Sequence, residues 1–205
     1  MAHQPFTHDE VALMADAEFF HAKSVIMRKV RDLLGRLHDA LREEAAQVTL
    51  LAPPDFDPAN CQFVKGEHLE HCPYQYLDYP KHFGGGDTLT FRSLFWWGHH
   101  LTFALMLEGA HLKQYKRNLI ERFHTVAGRD LEMSLASSFW EWKRGEGYTL
   151  PLSHDRKARI GAVIAERSFM KISRFIAIAD FESVQDDLPD IGRETFRSFL
   201  PLVTP

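Results

Sequence analysis

The residues of this chain whose types suit chemistry cluster between Cys61 and Glu108. His68, His71 and Cys72 form one H-x-x-H-C run. Two imidazoles and a thiolate are ligands that suit zinc, and a turn would let them converge, with His99 or His100 as a fourth donor. The spacing is not that of a zinc finger, and no second Cys or His pair follows at a matching offset. The same run therefore also reads as a polar turn with exposed histidines. His99-His100, beside Trp96-Trp97-Gly98, offers an imidazole that changes charge near neutral pH and suits general acid–base work. Against that stands a hairpin tip in which one histidine caps the turn and the other packs on Trp97.

Tyr74, Tyr76, Asp78, Arg92, Trp96 and Trp97 make the third group. Tyr74, Tyr76 and Asp78 share one face of an extended segment because side chains alternate along a strand. A neighbouring strand brings Arg92 beside Asp78. A carboxylate, two phenols and a guanidinium among tryptophans suit a cleft that orients a small polar ligand. The plainer reading is a structural Asp–Arg pair with tyrosines packed on it. Trp96, Trp97, Trp140 and Trp142 form either an exposed aromatic surface or part of the core.

The elements that must position these residues are legible in outline. Thr7-His8-Asp9-Glu10 is a capping box that opens a first helix. Ile26, Val30, Leu33, Leu34, Leu37 and Leu41 recur at spacings of three and four, so the helix runs to about Gln47, with a possible break near Phe19-Phe20-His21. Pro53, Pro54 and Pro58 mark a loop. Strands are expected over 62–67, 74–79 (stopped by Pro80), 88–97 and 101–108. A two-residue turn at Gly98-His99 would place Arg92, Leu94 and Trp96 beside the face of Leu101, Phe103, Leu105 and Leu107, and Arg92 would then need a carboxylate. Gly84-Gly85-Gly86 reads as a hinge or mobile loop rather than a phosphate loop, since no G-K-[ST] follows it. After Gly109 the pattern is mostly helical, over 110–126, 129–137, 155–172 and 189–200, with a possible fifth strand or hairpin from Trp140 to Leu152. These expectations describe one α+β domain over 1–205: a helical segment at 1–50, an antiparallel meander of four or five strands at 61–108, and helices that cover the sheet.

Bulk composition excludes several classes. The 205 residues carry a net charge of −4, which argues against a nucleic-acid binder. The basic residues Lys113, Lys116, Arg117, Arg122 and Arg129 read as a solvated helix face. No apolar run reaches the ~18 residues of a membrane span, and the N-terminal residues lack a secretory pattern, so the expected location is the cytoplasm. Cys61 and Cys72 could face each other across a hairpin, but two cysteines do not make the framework of a secreted domain. The signatures G-x-S-x-G, H-E-x-x-H and C-x-x-C are absent.

Lys65-Gly66-Glu67, Pro73-Tyr74, Leu77-Asp78-Tyr79-Pro80 and Phe95-Trp96-Trp97-Gly98 resemble the pattern of a family of bacterial proteins of similar length: a K-G-E turn, P-Y-x-x-L-D-Y-P, then F-W-W-G. The resemblance covers about a quarter of the chain and implies no activity. Three functions stay open on the sequence. The first is a bacterial cytoplasmic binding or interaction protein whose aromatic cleft takes a small molecule or peptide. The second is a small enzyme using histidine acid–base chemistry, with or without zinc. The third is a structural subunit whose first helix packs on a partner or a second copy as a homodimer.

Overall fold

The structure, a computed structural model, describes residues 4–205. It is α+β, as expected, but the sheet is larger and less simple than a meander. Seven strands lie in the order β1-β2-β3-β4-β7-β5-β6. Strands β1 (Gln62–Leu69), β2 (Cys72–Gly84), β3 (Asp87–Trp96) and β4 (His100–Glu108) do follow one another as hairpins. The chain then leaves through α3 (Leu112–Glu121) and α4 (Phe123–Val126), makes β5 (Glu132–Ser134) and β6 (Thr149–Pro151), and returns through α5 (Lys157–Ala165). Strand β7 (Phe169–Ala177) inserts between β4 and β5, antiparallel to both.

Two predicted helices are thereby corrected. The segment 129–137 holds β5, not a helix, and the helix expected over 155–172 stops at Ala165 and gives way to β7. Pro80 does not stop β2 either. The Tyr79–Pro80 peptide is cis, and the pairing register shifts between Asp78 and Lys81, so the proline sits at an irregularity where no ladder donor is needed. The triple glycine is no mobile loop. Gly85 and Gly86, at φ 60° and 84°, form the tight turn between β2 and β3, a backbone that side chains rarely adopt.

The N-terminal helix does break, three residues before the expected point. Helix α1 (His8–Ala15) carries the Thr7–Glu10 capping box, and Asp16 ends it. The Asp16 carboxylate then accepts the Phe19 amide and starts α2 (Ala17–Ala45). From Val30 onward the α2 stripe packs on the sheet, together with α7 (Leu188–Val203). Gly192 of α7 lies against Leu37 and Phe103, so close that a side chain there would collide with both. The last carbonyls of α7 are taken by α3: Asn118 donates to Leu202 at 3.0 Å, and Arg122 to Pro201 at 2.8 Å. Arg122 therefore caps a helix rather than sitting on a solvated face. A short helix α6 (Phe181–Val184) precedes α7 and closes one end.

The core is the helix-facing side of the sheet. Leu77, Leu89, Phe91, Leu101, Phe103, Leu105, Leu107 and Ile172 are all buried there. Leu33 and Leu37, on the first helix that the sequence allows to pack on a partner, are part of this core, so a polar residue at either disrupts the fold and not an interface. Leu37→Ala will lower stability by about 2–5 kcal/mol, read from the midpoint of urea unfolding. Phe19→Ala, on the same helix but exposed, will shift that midpoint far less.

Candidate functional site

The polar side chains with chemical potential lie on the opposite face of the sheet, beneath the long β5–β6 connection, residues 135–148. Register decides this. Trp96 pairs with His100, so the β3–β4 turn is three residues long, Trp97 to His99, and not two. A one-residue change flips every side chain to the other face. Arg92, Leu94 and Trp96 therefore share a face with Thr102, Ala104 and Met106 and turn away from the leucines. The expectation that Arg92 joins the leucine face is overturned.

The carboxylate that Arg92 requires is Asp78, directly across the β2–β3 ladder. The pair is bidentate: Arg92 Nε donates to Oδ1 at 2.7 Å and an Nη to Oδ2 at 2.8 Å. Asp78 is wholly buried and Arg92 nearly so. Burial pushes the Asp78 carboxyl up, and the guanidinium pulls it back down. The Arg92 guanidinium also lies 3.8 Å from the centre of the Tyr76 ring, which stacks with Tyr74 at 6.2 Å. Trp96 packs in the same apolar cluster, its indole N–H donating to the Leu69 carbonyl at 2.9 Å. Five of the six cleft residues are thus brought together. Trp97 is not: it lies beyond β3 in the turn, and its buried indole nitrogen has no partner.

What should have been an open cleft is filled by the chain itself. Trp142 and Phe139, from the β5–β6 connection, pack on this face and are buried. Trp140 of the same loop stays exposed, stacked on Phe83 at 6.4 Å. The four tryptophans therefore make no single flat surface.

The residue that sequence reasoning missed is Lys171 of β7. It is 3% exposed, and its ammonium donates to the carbonyls of Phe139 (2.7 Å) and Glu141, both in the loop. The same nitrogen lies 4.2 Å from the centre of the Trp142 ring. Burial drives its pKa down to about 7, the Glu141 charge opposes this, and Arg92 adds to it. Glu132 of β5 is the second missed group, buried and paired with Arg144 at 2.7 Å and with the Thr149 hydroxyl. The period-two alternation of Phe169, Lys171, Ser173 and Phe175 against Met170, Ile172 and Ile176 is the signal that would have found β7, and with it Lys171.

The two histidines of the turn part company. His99 is exposed and stacks flat on Trp96 at 3.7 Å. His100 packs edge-on against Phe175, and its Nε2 lies 3.0 Å from the Trp142 carbonyl. A carbonyl only accepts, so Nε2 carries the proton. Burial lowers the His100 pKa to about 4, which leaves it neutral and without basic strength near pH 7. His68 and His71 lie exposed around the β1–β2 turn with Cys72 half-buried beside them. Among the described residues no three His, Cys, Asp or Glu side chains converge as a metal site would require. Cys61 and Cys72 are free thiols at opposite ends of the β1–β2 hairpin, where Gln62 pairs with Asp78 and Leu69 with Cys72.

Comparisons with protein-family models, with curated proteins and with solved structures return no match. Among the described residues no helix is long and apolar enough to cross a membrane.

Two measurements follow from this geometry. Arg92→Ala leaves a buried carboxylate without its partner and will cost about 3–5 kcal/mol, whereas the Asp78→Leu, Arg92→Met double variant removes both charges and will cost less than Arg92→Ala alone. Equal losses in chemical denaturation would show that packing, not charge burial, sets the cost. For His100 the folded pKa of about 4 lies below the ordinary 6.5, so the unfolded chain binds more protons in that window. Its contribution is complete above pH 6.5 and fades as pH falls through 4. The gap in Tm between wild type and His100→Phe will therefore be widest above pH 6.5 and close towards pH 4.

Proposed function

We propose that this chain is a binding protein that takes a small anionic molecule with a flat ring onto the loop-covered face of its sheet. The observation that carries the reading is Lys171. A buried ammonium normally meets a carboxylate; here its hydrogen-bond partners are two backbone carbonyls of a loop, and its remaining neighbour is the face of Trp142. Those carbonyls stand where the oxygens of a carboxylate or phosphate would be held, and the Trp142 ring stands where a ligand ring would stack. Arg92 lies on the same face, 5.6 Å from the centre of that ring, with its charge balanced by Asp78. Buried ionisable groups with shifted pKa values among aromatic side chains are a frequent mark of ligand sites.

The loop has the design of a removable cover. Its fastenings are mostly polar: Lys143 to Glu70 at 2.7 Å, Arg144 to Glu132 and Arg167 to the carbonyls of Leu135 and Ala136 at its edges, and Lys171 and His100 to its backbone carbonyls beneath it. Phe139 and Trp142 anchor its middle in apolar surroundings, and Leu135 packs on the main core where the loop leaves β5. A closed fraction that must first open weakens apparent affinity in proportion to its population.

The probe is 8-anilinonaphthalene-1-sulfonate, an aromatic anion, titrated by fluorescence and calorimetry. Wild type is expected to bind at one site, Trp142→Ala more tightly, and Lys171→Met roughly tenfold or more weakly. Stronger binding by Lys171→Met would mean that the dye reports only a loosened loop, and would overturn the reading. The Phe19→Ala variant serves as control, because its binding will match wild type unless the dye sits on the exposed N-terminal helices.

A further inference from the structure

The N-terminal helices project from the body without covering anything. Helix α1 has no buried residue, and in α2 the first is Val30. Leu13 is 68% exposed, Phe19 54% and Phe20 50%; Val11, Met14 and Ile26 are exposed too. An isolated helical arm of this length is marginal in water, since helices owe most of their stability to a packed apolar face. The arm also continues the core stripe. Ile26 and Phe19 precede Val30, Leu33 and Leu37 at helical spacing, so one stripe is covered by the sheet in its second half and bare in its first.

We infer that the bare half is covered by a second copy of this chain, with the two arms antiparallel about a two-fold axis. Charge is what selects that occupant. From residue 4 to residue 22 the arm holds Asp9, Glu10, Asp16 and Glu18 and no lysine or arginine. From 23 to 36 it holds Lys23, Arg28, Lys29, Arg31 and Arg36 against Asp32 alone. Antiparallel pairing sets the acidic tip of each copy on the basic root of the other, twice, whereas parallel pairing sets like on like. Two of the root cations are engaged within the chain, Lys23 with Glu67 at 2.5 Å and Arg31 over the Phe63 ring at 3.4 Å. Arg28, Lys29 and Arg36 remain for the partner, since Arg28 contacts only the Ser24 hydroxyl of its own helix.

Size and shape agree. The exposed apolar side chains of one arm present on the order of 10³ Å², the scale of one side of a standard interface at ~800 Å² per partner. A groove of about 520 Å³ lies along the root of α2, lined by the apolar Ile26, Val30, Leu33 and Phe181 and by both signs of charge, Lys29 and Arg36 with Asp32 and Asp186. Phe19 and Phe20 of the opposite arm are the side chains that would enter it. The arm is about 30 Å long at 1.5 Å per residue, enough to reach from its own root across the partner's.

The test is sedimentation velocity on the full chain at micromolar concentration. Wild type should sediment with twice the mass of the 23.7 kDa chain. Phe19→Asp with Ile26→Asp should give a folded monomer, with the far-UV and near-UV circular dichroism of wild type and a Tm that no longer rises with protein concentration. Asp9→Lys with Glu18→Lys cancels the charge of the tip and leaves the root basic, and Arg28→Glu with Lys29→Glu cancels the charge of the root and leaves the tip acidic. Each should weaken self-association roughly tenfold or more, and the two mixed together should form a heterodimer that restores it. A wild type that stays monomeric, or a dimer that the arm variants leave intact, overturns the inference. Charge variants that do not rescue one another overturn the antiparallel arrangement.

Discussion

The pairing of Trp96 with His100 is the constraint on which the molecule's two faces depend. Because side chains alternate at a period of two, the length of the β3–β4 turn decides which half of β3 meets the helices. With three residues in the turn, Phe91 and Phe95 join Leu101, Phe103 and Leu105 under α2 and α7, and Arg92 and Trp96 go to the other side. With two residues the guanidinium would enter an aliphatic core that holds no carboxylate beside it. The flat stack of His99 on Trp96, and the hydrogen bond from the Trp96 indole to Leu69, help hold the longer turn in place. The Trp97 amide bond to the Pro73 carbonyl ties it to the start of β2.

Once the charges lie on the second face, that face must be covered by something polar enough to satisfy them. The row Asp78–Arg92–Ala104–Ser173–Glu132 runs straight across five strands. Its middle is two small residues, which leaves room for the bulk of Trp142. At either end the charges are neutralised locally, Arg92 by Asp78 and Glu132 by Arg144. Lys171, one row along, has no such partner on the sheet, and only the loop backbone completes it. Unlike a carboxylate, a carbonyl releases the ammonium without leaving an unpaired charge behind. That asymmetry separates Lys171 from the Asp78–Arg92 pair, which cannot part without a buried ion on each side.

How much of this was legible in the residues follows from where the determinants lie. The capping box at Thr7, the stripe of α2, the strands of the first two hairpins and the Asp78–Arg92 neighbourhood rest on local periodicity and local spacing. The face on which Arg92 lies does not, because it turns on one residue of turn length. Strand β7 was hidden for a different reason. Both of its faces are buried, so its period-two alternation is blurred by Phe169 and Phe175 on the side of Lys171 and by Arg174 on the other, and only Glu166-Arg167-Ser168, with no glycine or proline, separates it from α5. The triple glycine reads as flexible because glycine permits many conformations, but the positive φ of Gly85 and Gly86 builds a tight turn and Gly84 ends β2. The K-G-E, D-Y-P and F-W-W-G residues fall at positions with shape requirements. Gly66 sits directly across from Tyr74, where a side chain would strike the tyrosine ring, and Asp78 and Pro80 flank the irregularity in β2. A fingerprint of that kind records how the hairpins fit together, whatever they bind.

The arm and the loop-covered face lie on different layers, and the chain links them through β2. Gln75 of β2 donates to the Met27 carbonyl of α2 at 3.0 Å, near the root of the arm, while its neighbours Tyr74 and Tyr76 stack on the opposite side beside Arg92. A strand passes no signal merely by having two faces. It does fix geometry: any shift of the α2 root that keeps the Gln75 bond moves the backbone that carries Tyr76. The Gln75 side-chain oxygen has no partner, so this link rests on one donor. Pairing of two arms would hold the α2 root still, and with it the tyrosines that border the buried cations.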